Sequence, residues 1–320
     1  MHAAALKYVE AVARAGSIRQ AAERLNVAAS AIDRQILKLE ESLGVQLFER
    51  LPKGMRITAA GELVLRHVRS TLHDFDRLQG EIDQIKGIKS GLIRVACLDS
   101  MLLRFLPDAL ATFHNLHPAV AFTVVGGTHG AIAKLLTDGQ ADIGVTFNLP
   151  SGPELEYFND VAMPIVAVVA RSHPLARRRK LAVEDCAAYP LLLQEDIRPI
   201  RSLIDIELLG LRDLRLPLVV SNNMMLLKPL IKRGLGISFY SPIGFLDELA
   251  SGEVIGIPLE VEPFKQLRVG LMVHRRRKPT PATRAFLELL GTRLVELGAE
   301  VERLVRGAAT RSKRRQIEAR

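Results

Sequence analysis

The apolar period of this chain changes once, and that change constrains the fold more than any other feature. Up to about Lys86, apolar residues recur at helical spacing; after Gly87 and Gly91, strand-like runs alternate with helical ones. An all-helical unit and a mixed α/β unit therefore share one chain. At ~100–200 residues per domain, 320 residues allow two or three domains. A chain this long buries enough surface to need no disulfide staple. Its two cysteines, Cys97 and Cys186, make no framework, and Cys97 lies in an apolar run as a small hydrophobe.

The first 60 residues read as short helices. Leu6, Val9, Val12 and Ala13 share one face, Gly16 breaks the pattern, and Ser17 can cap a second helix over Ile18–Leu25. Asn26-Val27 makes a tight turn. A third helix runs from about Ala28 to Leu43, with Ile32, Ile36, Leu39 and Leu43 on one stripe, and Gly44 ends it. The following run, Arg50-Leu51-Pro52-Lys53-Gly54-Met55-Arg56, reads as a β-hairpin tipped by Lys53.

From Thr58, a capping residue, a helical stripe continues to about Lys86 through Leu65, Val68, Leu72, Phe75, Leu78, Ile82 and Ile85. Its length would be roughly 43 Å at 1.5 Å per residue. Such a stripe either packs on its own domain or pairs with a second copy. Its polar remainder is charge-balanced and no neighbouring segment evidently covers it, which favours pairing through Leu65, Val68, Leu72, Phe75 and Ile82.

Beyond Gly91 the order Leu92–Leu98, Leu102–His114, Val120–Val125, Ile132–Leu136, Asp142–Phe147 is β-α-β-α-β, which predicts a parallel sheet covered by helices. A second set follows at Ile165–Ala170, Leu191–Gln194, Ile200–Leu209, Leu216–Val220, Leu226–Lys232 and Leu235–Phe239. A strand at Leu267–His274 and a helix at Pro281–Leu297 close the unit. The basic run Arg177–Lys180 reads as a solvated loop. Residues 306–320 have little apolar content and read as a basic, disordered tail.

Net charge is +9, and it sits at the ends. Residues 1–60 carry +3, residues 61–90 zero, residues 91–305 +1 and residues 306–320 +5. Basic ends suit a polyanion such as DNA; the neutral middle does not. The longest apolar stretch, Val161–Ala170, is interrupted by Pro164 and too short to span a bilayer. The N-terminus lacks the basic start and apolar core of a secretory signal. These features point to the cytoplasm and to no membrane association.

Ser17–Leu43 carries the sharpest signal. Two helices and a tight turn form a helix-turn-helix, whose second helix enters the major groove. With Ile32, Ile36 and Leu39 buried, the opposite face carries Ala29, Ser30, Asp33, Arg34 and Leu37, with Lys38 at its edge. Arg34 either reaches DNA or pairs with Asp33 or Glu40; the surrounding motif favours DNA.

Four blocks here resemble the LysR-type transcriptional regulators. They are Ala15-Gly16-Ser17-Ile18, Ala21-Ala22-Glu23-Arg24-Leu25, the run Leu39–Arg50 and Ile57-Thr58-Ala59-Ala60-Gly61, in family order and spacing. Weaker likeness continues through Leu106-Pro107, His117-Pro118, Asp138-Gly139, Ala141-Asp142-Ile143, His173-Pro174-Leu175 and Gly234-Leu235-Gly236-Ile237. The resemblance implies a winged helix-turn-helix over 1–60, a linker helix for dimerisation over 58–88, and an effector-binding domain over 91–300. That domain would be a two-lobed, periplasmic-binding-protein-like (type 2) α/β unit. Lobe I would span about 91–161 and 268–300, and lobe II about 162–267. It further implies promoter DNA, a small-molecule effector, a homodimer or homotetramer, and RNA polymerase as partners, with no cofactor and no metal.

The DNA-facing set is Ser17, Ala29, Ser30, Asp33, Arg34, Lys38, Arg50, Lys53 and Arg56. Where the family usually reads Ser-Gln-Ser-Ala-Val-Ser, this chain has Ala28-Ala29-Ser30-Ala31-Ile32-Asp33. Ala29 can touch a thymine methyl. Asp33 can accept from cytosine N4 or orient Arg34 or Lys38. In open α/β sheets, ligands bind beyond the C-terminal strand ends. Those ends supply the effector set Ser100, Met101, Thr128, His129, Thr146, Asn148 and Asn222. Ser100 and Thr128 match family positions that often contact effector, while helix capping alone is the other reading of both.

A cytoplasmic solute-binding protein or an α/β enzyme is the alternative. The chain has no Walker loop, no G-x-S-x-G elbow and no H-E-x-x-H motif, so an enzyme is not expected. His114 and His117 lack a cysteine partner and sit beside Pro118, a poor metal site.

Overall fold

A computed structural model describes residues 2–52, 54–85, 91–195 and 216–318. Lys53 and the helix expected at Ile200–Leu209 lie outside them. The N-terminal unit comprises α1 (His2–Ala15), α2 (Ile18–Leu25), α3 (Ala29–Leu43) and the hairpin β1 (Phe48–Leu51) and β2 (Gly54–Ile57), followed by α4 (Ala59–Ile85). The Ser17 hydroxyl accepts the Gln20 N–H at 3.5 Å and starts α2. Asn26 adopts the left-handed conformation, φ 53°, that closes α2 and turns the chain into α3. Val9, Val12, Ala21, Ile32, Ile36 and Leu47 form the core.

Two glycines in this unit are steric requirements. The Met55 N–H donates to the Gly16 carbonyl at 2.7 Å, seating the hairpin on the α1–α2 turn. A Cβ on Gly54 would lie 2.4 Å from that same oxygen. A Cβ on Gly61 would lie 2.1 Å from the Leu47 carbonyl oxygen, so Gly61 lets α4 approach the core. Thr58 caps α4 by accepting the Gly61 N–H at 2.9 Å.

The second unit runs β3 (Gly91–Cys97), α5 (Phe105–Leu116), β4 (Val120–Gly126), α6 (His129–Thr137), β5 (Ile143–Phe147), β6 (Leu155–Ala162) and β7 (Val166–Ala170). It continues with α7 (Val183–Ala187), β8 (Leu192–Gln194), β9 (Val219–Ser221), α8 (Met224–Lys232), β10 (Ser238–Tyr240), α9 (Leu246–Ser251) and β11 (Val254–Pro258). It ends with α10 (Glu262–Lys265), β12 (Arg268–His274) and α11 (Pro281–Glu318). One lobe holds a five-stranded sheet in the order β4-β3-β5-β12-β6. β3 is parallel to β4 and β5, whereas β12 is antiparallel to β5 and β6. The other lobe holds the antiparallel sheet β10-β7-β11 and the parallel pair β8-β9. The chain passes between lobes twice, side by side. The Met163 N–H donates to the Leu267 carbonyl at 2.8 Å, and the Ile165 N–H donates to the Phe264 carbonyl at 3.1 Å. A paired crossing of this kind is a hinge geometry.

Three expectations need correction. Leu65 and Val68 are buried in their own domain beside Val9 and Val12, so they are not open to a second copy. The cover comes from α1, more than fifty residues earlier, which a local reading of the stripe does not see. Phe75, Leu78 and Ile82 are exposed, and Leu72 is half-buried against the same core. Next, α11 continues to Glu318, so residues 306–318 are helical rather than irregular. Low apolar content argues against packing, but Ala, Arg, Lys and Gln are all good helix formers and extend a helix already nucleated. Finally, β6 and β11 have no counterpart in the apolar pattern; β6 is an edge strand interrupted by Asn159 and Asp160.

Candidate nucleic-acid interface and interlobe cavity

The outward face of α3 begins at Ala29 and Ser30, both exposed, and continues through half-buried Asp33 to exposed Arg34, Leu37 and Lys38. Ile32 and Ile36, on the opposite face, are 0% and 1% exposed. Glu40 accepts the N–H groups of Leu47 (2.7 Å) and Phe48 (3.1 Å), fixing the start of the hairpin to α3. Asp33 pairs with Arg50. Neither suggested partner of Arg34 is therefore engaged with it. Among the described residues Arg34 has no ion pair and faces solvent. Arg56 pairs with Glu49 across the hairpin, which offsets one of its positive charges. Ser17 spends its hydroxyl on the α2 cap.

A cavity of about 670 Å³ opens between the lobes, within the usual range for small-molecule sites. One lobe contributes Asp99, Ser100, Gly126, Gly127, Thr128, His129, Phe147 and Leu149. The other contributes Gln194, Glu195, Asn222, Met224, Tyr240 and Ser241. Four expected residues, Ser100, Thr128, His129 and Asn222, thus line one space. Three do not. Met101 is fully buried in the core, and Asn148 turns to Asp160. Thr146 is 0% exposed and holds His129 Nδ1 at 3.1 Å from below. Strand-end reasoning locates a segment but not which alternate side chain turns into the cavity. Gln194, Glu195, Tyr240 and Ser241 were missed, although each is a strand end or its neighbour and strand-end reasoning could have found them.

Helix starts shape the cavity wall. The Thr128 hydroxyl accepts the Ala131 N–H at 3.3 Å, and the Asn223 side chain accepts the Met225 N–H at 2.8 Å. Thr128 is therefore both a cap and a wall residue, so the two readings of it coexist. His129 Nε2 lies 3.3 Å from Ser151 Oγ, tying α6 to the loop after β5. Burial holds the His129 imidazole below its ordinary pKa, favouring the neutral ring. The Tyr240 hydroxyl is buried and has no hydrogen-bond partner among the described residues. Burial, with the Asp99 charge second, pushes its pKa up and keeps it a donor. Cys97 and Cys186 are both buried and pushed up to about 12, chiefly by desolvation, so neither is a reactive thiolate. Among the described residues no group of His, Cys, Asp and Glu could hold a metal. No described helix is long and apolar enough to cross a membrane.

A buried polar joint connects α4 to the sheet that carries this cavity. His73 Nε2 lies 3.0 Å from Asp142 Oδ1, with the two side chains 7% and 4% exposed. Asp142 Oδ2 also accepts the Arg94 N–H at 2.7 Å. One turn earlier, Arg69 lies 3.6 Å from Asp138, which Lys134 approaches at 2.9 Å. Arg94 reaches back to Asp76 on α4 at 3.0 Å. A helix from the N-terminal unit is thereby ionically seated on the lobe that carries Ser100, Thr128 and His129, at the start of β5 and the end of α6, the ends of those elements away from the cavity.

Family comparison agrees with this division. Residues 3–62 match the bacterial regulatory helix-turn-helix protein model of the lysR family, and residues 86–295 match the LysR substrate binding domain. The transcriptional regulator CbbR of Rhizobium meliloti is 31% identical over 292 residues, covering 88% of this chain and 90% of the relative. The transcriptional activator LysR of Escherichia coli is 25% identical over 313 residues, covering 97% and 100%. Among solved structures, a full-length OxyR variant from Pseudomonas aeruginosa superposes with a TM-score of 0.69 at 19% identity, covering 92% and 94%. CbnR in complex with its target DNA superposes with a TM-score of 0.56 at 22% identity, covering 92% and 100%.

Proposed function

Since the chain belongs to the LysR family of transcriptional regulators, we propose that α3 is its recognition helix and that the interlobe cavity is its effector site. It is a DNA-binding regulator and not an enzyme. The observation that carries the site reading is that the cavity draws its wall from both lobes: Ser100, Thr128 and His129 on one side, Gln194, Asn222 and Tyr240 on the other. A small molecule touching both walls is favoured by one interlobe angle over another. It shifts the population only by that difference in affinity.

On this reading Ala29, Ser30, Asp33, Arg34, Leu37 and Lys38 face the major groove, Arg50 reaches it beside Asp33, and Lys53 and Arg56 meet its edge and the backbone. Ser17 supports α2 rather than reading bases. Self-association proceeds through Phe75, Leu78 and Ile82, the exposed part of the α4 stripe. Contact with RNA polymerase follows DNA binding at promoters. The test uses the DNA upstream of the protein's own gene and of its neighbours. Footprinting should show a protected, salt-sensitive site, and reporter transcription should respond to a metabolite extract. Ser100→Ala and Thr128→Ala should abolish that response while leaving the footprint. An unchanged response in both variants would remove the cavity from the mechanism.

A further inference from the structure

Asp33 lies at the middle of the outward face of α3, with Ala29 one turn before it and Leu37 one turn after. Both neighbours are apolar, so no cation on α3 at those positions offsets the carboxylate. An unpaired anion there would oppose the approach of phosphates. The partner comes from elsewhere: Arg50 of β1, seventeen residues on, donates through Nη2 to Asp33 Oδ1. The two side chains are 34% and 56% exposed, and a solvent-exposed pair of this kind adds little to folding. The neighbouring pair Glu49–Arg56 differs, because it lies within the hairpin, across the β1–β2 register. Among the described residues the Asp33–Arg50 pair is the ion pair that joins the outward face of the helix that enters the groove to the wing beside it.

We propose that Asp33 and Arg50 act as one reading unit that selects a C·G base pair in the major groove. The inference rests on α3 being the recognition helix. A carboxylate only accepts hydrogen bonds, and a guanidinium only donates; with one N–H group on Asp33, Arg50 keeps others free. Side by side they present an acceptor next to a donor fork. In the major groove a C·G pair presents the reverse: the cytosine N4 amine as donor, then guanine O6 and N7 as adjacent acceptors. An A·T pair also offers an amine, but it lacks two adjacent acceptors for the fork. Each partner orients the other before DNA arrives, so less side-chain freedom is lost on binding.

The experiment selects sites from a randomised duplex pool with the full-length wild-type chain, Asp33→Ser and Arg50→Lys. The wild-type motif should contain one invariant C·G pair per bound chain, and replacing it should weaken binding about 5- to 150-fold. Asp33→Ser should lose the preference at that position alone, while its affinity for random duplex rises because an anion has left the interface. Arg50→Lys keeps the charge but not the fork, and should lose the same preference. Melting temperatures near the wild-type value would show that both variants fold. An Asp33→Ser protein that enriches the wild-type motif with equal discrimination at every position would overturn the proposal and leave an ordinary surface ion pair. So would a wild-type motif with no invariant C·G. A wild-type chain that enriches no sequence at all would overturn the recognition-helix reading, and this one with it.

Discussion

Asp142→Ala tests the joint between α4 and the cavity domain. The native carboxylate satisfies two donors at once, His73 Nε2 at 3.0 Å and the Arg94 N–H at 2.7 Å. His73 Nδ1 already has no partner, so Asp142 holds the ring's one hydrogen bond among the described residues. Alanine orphans both donors in a place where the two side chains are less than a tenth exposed. Each orphaned buried donor costs about 1–3 kcal/mol, so the loss should be about 2–5 kcal/mol after partial relaxation. Asp142→Asn keeps one acceptor and should lose about half as much. Guanidinium titration followed by circular dichroism measures both. A double-mutant cycle with His73→Ala should return a coupling of about 0.5–3 kcal/mol. The reasoning fails if Asp142→Ala unfolds within about 0.5 kcal/mol of wild type, or if the two sites prove additive. Because the joint seats α4 on the lobe that carries Thr128 and His129 at its other end, Asp142→Asn should further weaken the effector response more than it weakens footprinting.

Three other outcomes are expected. If self-association runs through the exposed part of the α4 stripe, Phe75→Asp should sediment as a monomer where the wild-type chain sediments as an oligomer, without lowering the melting temperature. Leu65→Ala, which is 3% exposed in the core, should cost about 2–5 kcal/mol and leave association intact; the opposite pattern would put the interface on the wrong residues. Arg34→Ala should weaken specific binding by about 1–3 kcal/mol, and equal affinity across salt concentrations would exclude base reading. Burial holds His129, His173 and His274 below their ordinary pKa of 6.5, so the unfolded chain takes up protons first as pH falls. Stability should therefore drop on acidification from pH ~7.5 towards ~5.5, and His129→Asn should flatten that drop. A melting temperature whose pH dependence is the same in His129→Asn as in wild type would contradict the assignment.

Sequence by itself determined the elements whose signals are local. The cap at Ser17, the Asn26 turn and the stripe Ile32–Ile36 define a helix-turn-helix, because 3.6-residue periodicity and capping need only neighbours along the chain. The β-α-β-α-β order after Gly91 and the strand-end segments holding Ser100, Thr128 and Asn222 were legible for the same reason. Tertiary structure decided everything that depends on residues distant in sequence. An apolar stripe states that one face wants cover but not what supplies it: α1 takes Leu65 and Val68, while Phe75 and Ile82 stay open. A charged residue likewise does not name its partner. Asp33 lies beside Arg34 in the chain yet reaches Arg50, and Asp142 meets His73 across two domains. Tyr240 enters the cavity because β10 packs beside β7 and faces the other lobe, a fact carried by sheet order rather than by any spacing. Long-range contacts are set by which surfaces exclude water together, and that is a property of the assembled fold.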